Sequence, residues 1–368
     1  MKIIAFLRQN PISVLFIAFP LAIVASIAGW GPLWVFILSA IGVIPMAQYI
    51  GLATEALAKI TGPRVGGLLN ATLGNAAELI ITIVAIREGL LELVKASITG
   101  SILGNLLLVL GMSMVLGGAR HGRQTFNQRQ ASNNAILLAL AVVALLIPSL
   151  LSHSIGSESS LEVEALSLGV AAVMIVLYAL GILYSFLNEP VPVSSSAGGA
   201  VSSTLPAAHH QGPDWQVSTA LIVLALATAG VAYLSELLVG AVEPVVASLG
   251  VSEFFLGIIL IPIIGNVAEH LVAVKMAMQN QMDLSVEISV ASSLQISLFV
   301  APVLVFISLL LQHPLQLIFN QFELLALVAG VLIAALVSAD GESNWLEGAE
   351  LLAVYLILGM AFFLLPMP

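Results

Sequence analysis

Long apolar runs alternate with short polar breaks along almost the entire chain. They fall at about 12–28, 33–58, 64–87, 93–117, 133–151, 165–187, 217–241, 252–277, 285–311, 322–338 and 346–365. A helix needs roughly 17–25 such residues to cross the hydrocarbon core of a bilayer, and these runs are too long for barrel strands. A segment alone in lipid must satisfy its own backbone hydrogen bonds, so the pattern predicts helices, about eleven of them. One stretch departs from the pattern. Residues 189–216 are dominated by Pro, Ser and Gly, carry no apolar periodicity and read as a flexible linker. The expected organisation is an extra N-terminal helix over 1–30, a first five-helix repeat over 31–188, the linker over 189–216 and a second five-helix repeat over 217–368.

The division into repeats rests on matched residues. Gly74-Asn75-Ala76-Ala77-Glu78 and Gly265-Asn266-Val267-Ala268-Glu269 both read G-N-x-A-E, at an offset of 191 residues. The same offset carries Ser101 onto Ser292 and Leu107-Leu108-Val109 onto Leu298-Phe299-Val300. Before the motif the second half is longer, and there Ala53-Thr54-Glu55 resembles Leu234-Ser235-Glu236. An odd number of spans per repeat inverts the second copy in the bilayer. Inverted repeats with a site at their interface are a common plan of secondary transporters.

Composition fixes the solvent. The chain has 368 residues, 60% of them hydrophobic and 8% charged, with a mean hydropathy of +1.12. That describes an all-α polytopic membrane protein with the lipid bilayer as its main partner. Ten Lys and Arg against twenty Asp and Glu argue against nucleic acid. There is no cysteine, which removes disulfides, thiolate metal sites and thiol catalysis. With the N-terminus in the cytoplasm, inner segments hold Lys2, Arg8, Lys59, Arg64, Arg120, Arg123, Arg129 and Lys275, and outer segments only Arg87 and Lys95. The positive-inside rule selects this orientation, with the C-terminus outside. Lys2 and Arg8 ahead of the first run resemble a secretory signal, but we read an uncleaved first span.

An acid inside an apolar span is a functional hypothesis, and two at matched positions suggest one shared site. Asn75 and Glu78 lie three apart and share a helix face, as do Asn266 and Glu269. Gly74 and Gly265 weaken the helix and let an ion approach backbone carbonyls; Pro262 frees a carbonyl nearby. Carboxylate, amide and carbonyl oxygens suit Ca²⁺, which takes about 6–8 of them, with Glu78 and Glu269 as the metal ligands. Emptied, two such carboxylates lose hydration and repel, so the site is expected to take up protons in competition with the cation.

Other polar groups carry weaker expectations beside ordinary structural readings. Glu55 and Glu236 are candidates for a proton or cation relay, against structural pairing. Ser101, Asn105, Ser292, Ser293 and Gln295 follow the motifs and either join the site or bridge helices. His270 could shuttle protons, but it is offset from the face of Glu269 and suits helix packing or gating better. His209 and His210 fall in the linker, Glu158, Glu162 and Glu164 in an outer loop, where solvation is the simplest reading. Gly66-Gly67 and Gly100, Gly104 and Gly111 suit close helix packing.

At these residues the chain resembles the calcium/proton exchanger family of the calcium/cation antiporters. Residues 66–79, ending in Gly74-Asn75-Ala76-Ala77-Glu78-Leu79, look like its first repeat motif, and Gly265-Asn266-Val267-Ala268-Glu269-His270 like its second. Residues 292–302 are similar to the segment that follows. Sodium/calcium exchangers, with Ser-rich repeats and Pro before the acid, fit less well. The resemblance implies eleven helices, alternating access at Glu78 and Glu269, Asn75 and Asn266 as coordinating or orienting groups, and a homotrimer in some members. It implies exchange of cytosolic Ca²⁺ for external H⁺, with Ca²⁺ as cargo and no cofactor; the expected location is an integral membrane position, the plasma membrane if the source is prokaryotic. The chain departs from many members in lacking an acidic helix between the halves, and in carrying Glu287 where small residues are common. Antiport of Na⁺ or Mn²⁺ and a cation channel are the alternatives. A channel would place its acids in rings from identical subunits, and an intramembrane enzyme would need a nucleophile–base set that is not present.

Overall fold

The computed structural model describes residues 11–156, 160–187 and 213–365. Lys2, Arg8, Glu158, His209, His210 and most of the 189–216 linker lie outside them. After a 3₁₀ segment at Pro11–Ile17, the helices are α1 (Ala18–Ile27), α2 (Pro32–Thr61), α3 (Pro63–Leu73), α4 (Ala76–Arg87), α5 (Leu91–Leu103), α6 (Leu110–His121), α7 (Gln128–Ile155) and α8 (Leu161–Leu187). The second half has α9 (Val217–Gly240), α10 (Val242–Leu249), α11 (Glu253–Phe255), α12 (Ile261–Met278), α13 (Met282–Gln295), α14 (Ala301–Leu310), α15 (Gln321–Val337) and α16 (Trp345–Leu364). A two-residue ribbon pairs β1 (Gln124–Thr125) antiparallel with β2 (Glu342–Ser343).

Among the described residues, eight helices are long and apolar enough to cross a membrane, and α3 with α4 forms a ninth candidate bent by 40°. Two shorter apolar helices span Ile12–Ile27 and Gln321–Val337. Many apolar side chains point outward: Val173, Leu226 and Leu325 are each 68% exposed. In water such surface would drive association; in lipid it is the natural exterior. Three helical spans contain π-helical turns, at Gly104–Val109, Leu256–Leu260 and Ile296–Val300. The first and third fall at positions related by the 191-residue offset. Such turns are rare and cluster at functional positions.

The chain divides into two compact units. The first comprises 1–97, 210–268 and 362–368, the second 98–209 and 269–361. In the first, α2 and α9 pack closely because small residues face large ones. A Cβ on Gly42 would lie 2.9 Å from Leu234 Cδ1, and one on Gly230 2.9 Å from Met46 Sδ. Ile50, Ala76, Ala77, Ala227 and Val231 join α2, α4 and α9 in one buried cluster. At one end, Lys59 Nζ pairs with Asp214 at 3.1 Å. Glu253 accepts from Leu93 N at 3.1 Å.

In the second unit, α6 crosses α16 where two glycines meet. A Cβ on Gly348 would come within 2.6 Å of Gly111 O. Three inter-helix loops gather at one end. Gln124 Nε2 donates to Ala277 O (2.9 Å) and Asn280 Oδ1 (3.0 Å), Phe126 N to Gly341 O (2.9 Å) and Gln128 Nε2 to Ala339 O (2.7 Å). Between α14 and α15 the chain leaves helical form, yet Leu315, Leu317 and Phe319 are buried. Serines of three helices accept their amides: Leu315 N donates to Ser308 Oγ (2.8 Å), Leu317 N to Ser167 Oγ (3.2 Å) and Phe319 N to Ser149 Oγ (2.9 Å). Irregular backbone persists inside a membrane protein only with such partners.

Candidate functional site

The first G-N-x-A-E motif interrupts its helix. α3 ends at Leu73, Asn75 takes φ −98° and ψ 23°, and α4 restarts at Ala76. Glu78 therefore occupies the first turn of α4, where backbone N–H groups favour an anion. It is 1% exposed, and Asn75 is 3% exposed. Asn266, from the second motif, donates Nδ2–H to Glu78 Oε2 at 3.3 Å. Gly265 lies against the same residue: a Cβ there would sit 3.4 Å from Glu78 Cβ, in ordinary contact. The two motifs thus meet within the first unit, an amide of one holding the acid of the other.

The second motif behaves differently. α12 runs unbroken from Ile261 to Met278 through Gly265 and Asn266. The expectation of a helical motif holds here, whereas the first copy is kinked at Gly74-Asn75. Glu269, one turn beyond Asn266 on the same face, begins the second unit's share of this helix. Its Oε2 is enclosed and has no hydrogen-bond partner. Its carboxylate takes a hydrogen bond from the Ser292 hydroxyl. Ser292 Oγ in turn accepts from Asn105 Nδ2 at 2.9 Å, and Asn105 Oδ1 lies 3.1 Å from His270 Nε2. With the amide so oriented, Nε2 carries the imidazole proton and donates. Glu269, Ser292, Asn105 and His270 form one hydrogen-bonded chain, which sequence spacing could not reveal because Asn105 sits on a separate helix span.

The remaining candidates scatter. Ser101 and Gln295 are buried, and Ser293 Oγ bonds back to Ser289 O at 3.1 Å. Glu55 is half-buried one turn from Lys59. Glu236 is exposed and pairs with Arg87 Nη1 at 3.1 Å. Glu323 is a buried acid that sequence reading passed over. It forms a capping box with Asn320 at the start of α15 and accepts from Thr99 Oγ1 at 3.3 Å. Its burial is explained by that structural role. Among the described residues no three His, Asp or Glu side chains gather into a metal cage. A cation at this site would rely on single carboxylates, amides and backbone carbonyls.

Residues 31–187 and 219–364 match the sodium/calcium exchanger protein family. The chain belongs to that family. Within it, the chain is 45% identical over 362 residues to a Ca²⁺/H⁺ antiporter of Synechocystis, covering 96% of this chain and 97% of the relative. It is 43% identical over 352 residues to a Ca²⁺/H⁺ antiporter of Aphanothece halophytica, covering 94% of each. The solved structure of native YfkE superposes with a TM-score of 0.82 at 42% identity, over 96% of this chain and 100% of that one. These relatives put the chain among the calcium/proton exchangers, as the motifs implied; it is a transporter, not an enzyme.

Proposed function

We propose that this protein is a secondary antiporter that moves Ca²⁺ out of the cytosol in exchange for external H⁺. The observation that carries the reading is Glu78, a fully buried carboxylate in an apolar span, held by the amide of the matching motif. The Ca²⁺/H⁺ exchange named for the relatives at 43–45% identity supports the same cargo.

Glu78 and Glu269 act together in this account. Asn266 bonds to Glu78, and the shared role of Glu269 rests on its matched place in the repeated motif. Two carboxylates balance one Ca²⁺ or two protons. Either load neutralises the site, while the empty dianion would carry uncompensated charge in a low-dielectric setting. The loaded forms alone reorient easily, which makes exchange obligatory. An eleven-span fold with inverted repeats follows if the bent α3–α4 pair and both shorter apolar helices each count as spans. The matched π turns support the repeat. The kink at Gly74-Asn75 beside an unbroken α12 is consistent with alternating access.

One Ca²⁺ against two H⁺ moves no net charge, so only the pH gradient drives it, at about 1.4 kcal/mol per proton for each tenfold ratio, about 2.8 kcal/mol for the pair. A third proton would add about 2.3 kcal/mol per 100 mV. The homotrimer implied by the resemblance is a separate expectation, read by native mass. In everted vesicles an imposed pH gradient should drive radioactive Ca²⁺ uptake that a protonophore abolishes. Uptake that requires Na⁺ instead would replace H⁺ as the coupling ion.

A further inference from the structure

A second polar cleft lies in the second unit, between the start of α7 and the start of α13. It is a half-open cleft with room for about one water-sized sphere, and Asn127, Gln130, Asn134, Asp283 and Glu287 line it beside Phe126, Ala131 and Val286. Asp283 and Glu287 are one turn apart on α13, and Gln130 and Asn134 one turn apart on α7. Two polar stripes therefore face each other across the cleft. Like charges four residues apart on a helix repel. Neither carboxylate is ion-paired with a Lys or Arg among the described residues, and the nearby Arg123 is engaged by Glu342 at 2.9 Å. Asp283 Oδ1 accepts from Asn127 N, and Gln130 hydrogen-bonds Glu287. Asn134 is 4% exposed, and its Oδ1 is buried with no hydrogen-bond partner. An orphaned amide oxygen is uncommon in native structures. Here it lines a cleft that also holds two unneutralised carboxylates.

We propose that this cleft is a second cation site, taking one hard divalent cation between α7 and α13 through Asp283, Glu287 and the Asn134 amide oxygen. All these donors are oxygens and the two charges balance the ion; water completes a coordination shell of about 6–8. The cleft adjoins the end where the loops containing Gln124, Asn280 and Ala339 meet. Arg120, Arg123 and Arg129 lie at the same end of the sequence's helices, so the positive-inside rule gives it to the cytosol. Glu287 is five residues before Ser292 on the same span, about 7.5 Å along a helix axis. Binding here would couple cytosolic Ca²⁺ to the helix that carries the Glu269 network.

The test is equilibrium Ca²⁺ binding to purified full-length protein, with Ca²⁺ itself as probe. The native chain should bind two ions, and Asp283→Asn/Glu287→Gln should bind one. The double variant Glu78→Gln/Glu269→Gln should still bind one, weakened at least about tenfold by adding Glu287→Gln, since ligand charge tunes calcium affinity. A native stoichiometry unchanged by Asp283→Asn/Glu287→Gln overturns the proposal. So does absence of binding in a Glu78→Gln/Glu269→Gln protein whose melting temperature is native. Failure of the transport reading would show separately, as uptake that survives that double substitution.

Discussion

Glu78 and Gly265 face each other so closely that the size of one side chain becomes a test. A Cβ at Gly265 reaches ordinary contact with Glu78 Cβ at 3.4 Å, so Gly265→Ala should retain pH-driven uptake. Gly265→Val adds two methyls beyond a Cβ already in contact with Glu78 and should lower uptake in vesicles while the protein still inserts. Asn105→Ala removes the partner of both Ser292 and His270. Leaving buried polar groups unsatisfied costs about 1–3 kcal/mol, so its melting temperature and uptake rate should both fall. Glu236→Gln breaks only an exposed pair with Arg87 and should leave uptake near normal. The two acids were legible in the sequence because a charge in an apolar run stands out and its duplication excludes accident. Their pairings with other residues were not. The contact of Asn266 with Glu78, and the linkage of Asn105 to His270, exist only once distant helices pack.

At the scale of elements, most helices lie where the apolar runs put them, with ends extended by polar turns that hydropathy does not register. α7 starts at Gln128, capped by Asn127, although its apolar run begins near 133. The kink was hidden for a different reason. Gly-Asn occurs in both motifs, yet only Gly74-Asn75 breaks its helix while Gly265-Asn266 continues. The Gly-Asn pair is the same at both, so the flanking residues and tertiary packing decide. The buried irregular segment before α15 was also hidden, because serines scattered over three helices sustain it. Ser149→Ala should strip the buried Phe319 amide of its acceptor and lower stability by about 1–3 kcal/mol. Gly348→Ala would force a Cβ to 2.6 Å from Gly111 O, and overpacking of that kind should lower stability by about 1–3 kcal/mol, read as a lower melting temperature.

For the whole molecule, the proposed eleven-span alternation predicts that the loops near Thr125, Asn280 and Ala339 share one face of the membrane. Within the second unit the structure ties these same loops together. The native chain has no cysteine, so single cysteines at those positions give an unambiguous reading. An impermeant thiol reagent should label all three from the cytosolic side only, and a cysteine at His313 from the opposite side only. The central claim is that two glutamates exchange Ca²⁺ for H⁺ as one site. Its most direct test reconstitutes the purified protein in sealed liposomes and follows internal Ca²⁺ and internal pH together. Calcium entry should accompany proton exit in fixed ratio, need no Na⁺, and vanish in both Glu78→Gln and Glu269→Gln. Calcium entry without proton exit, or coupled exchange surviving either substitution, would contradict it.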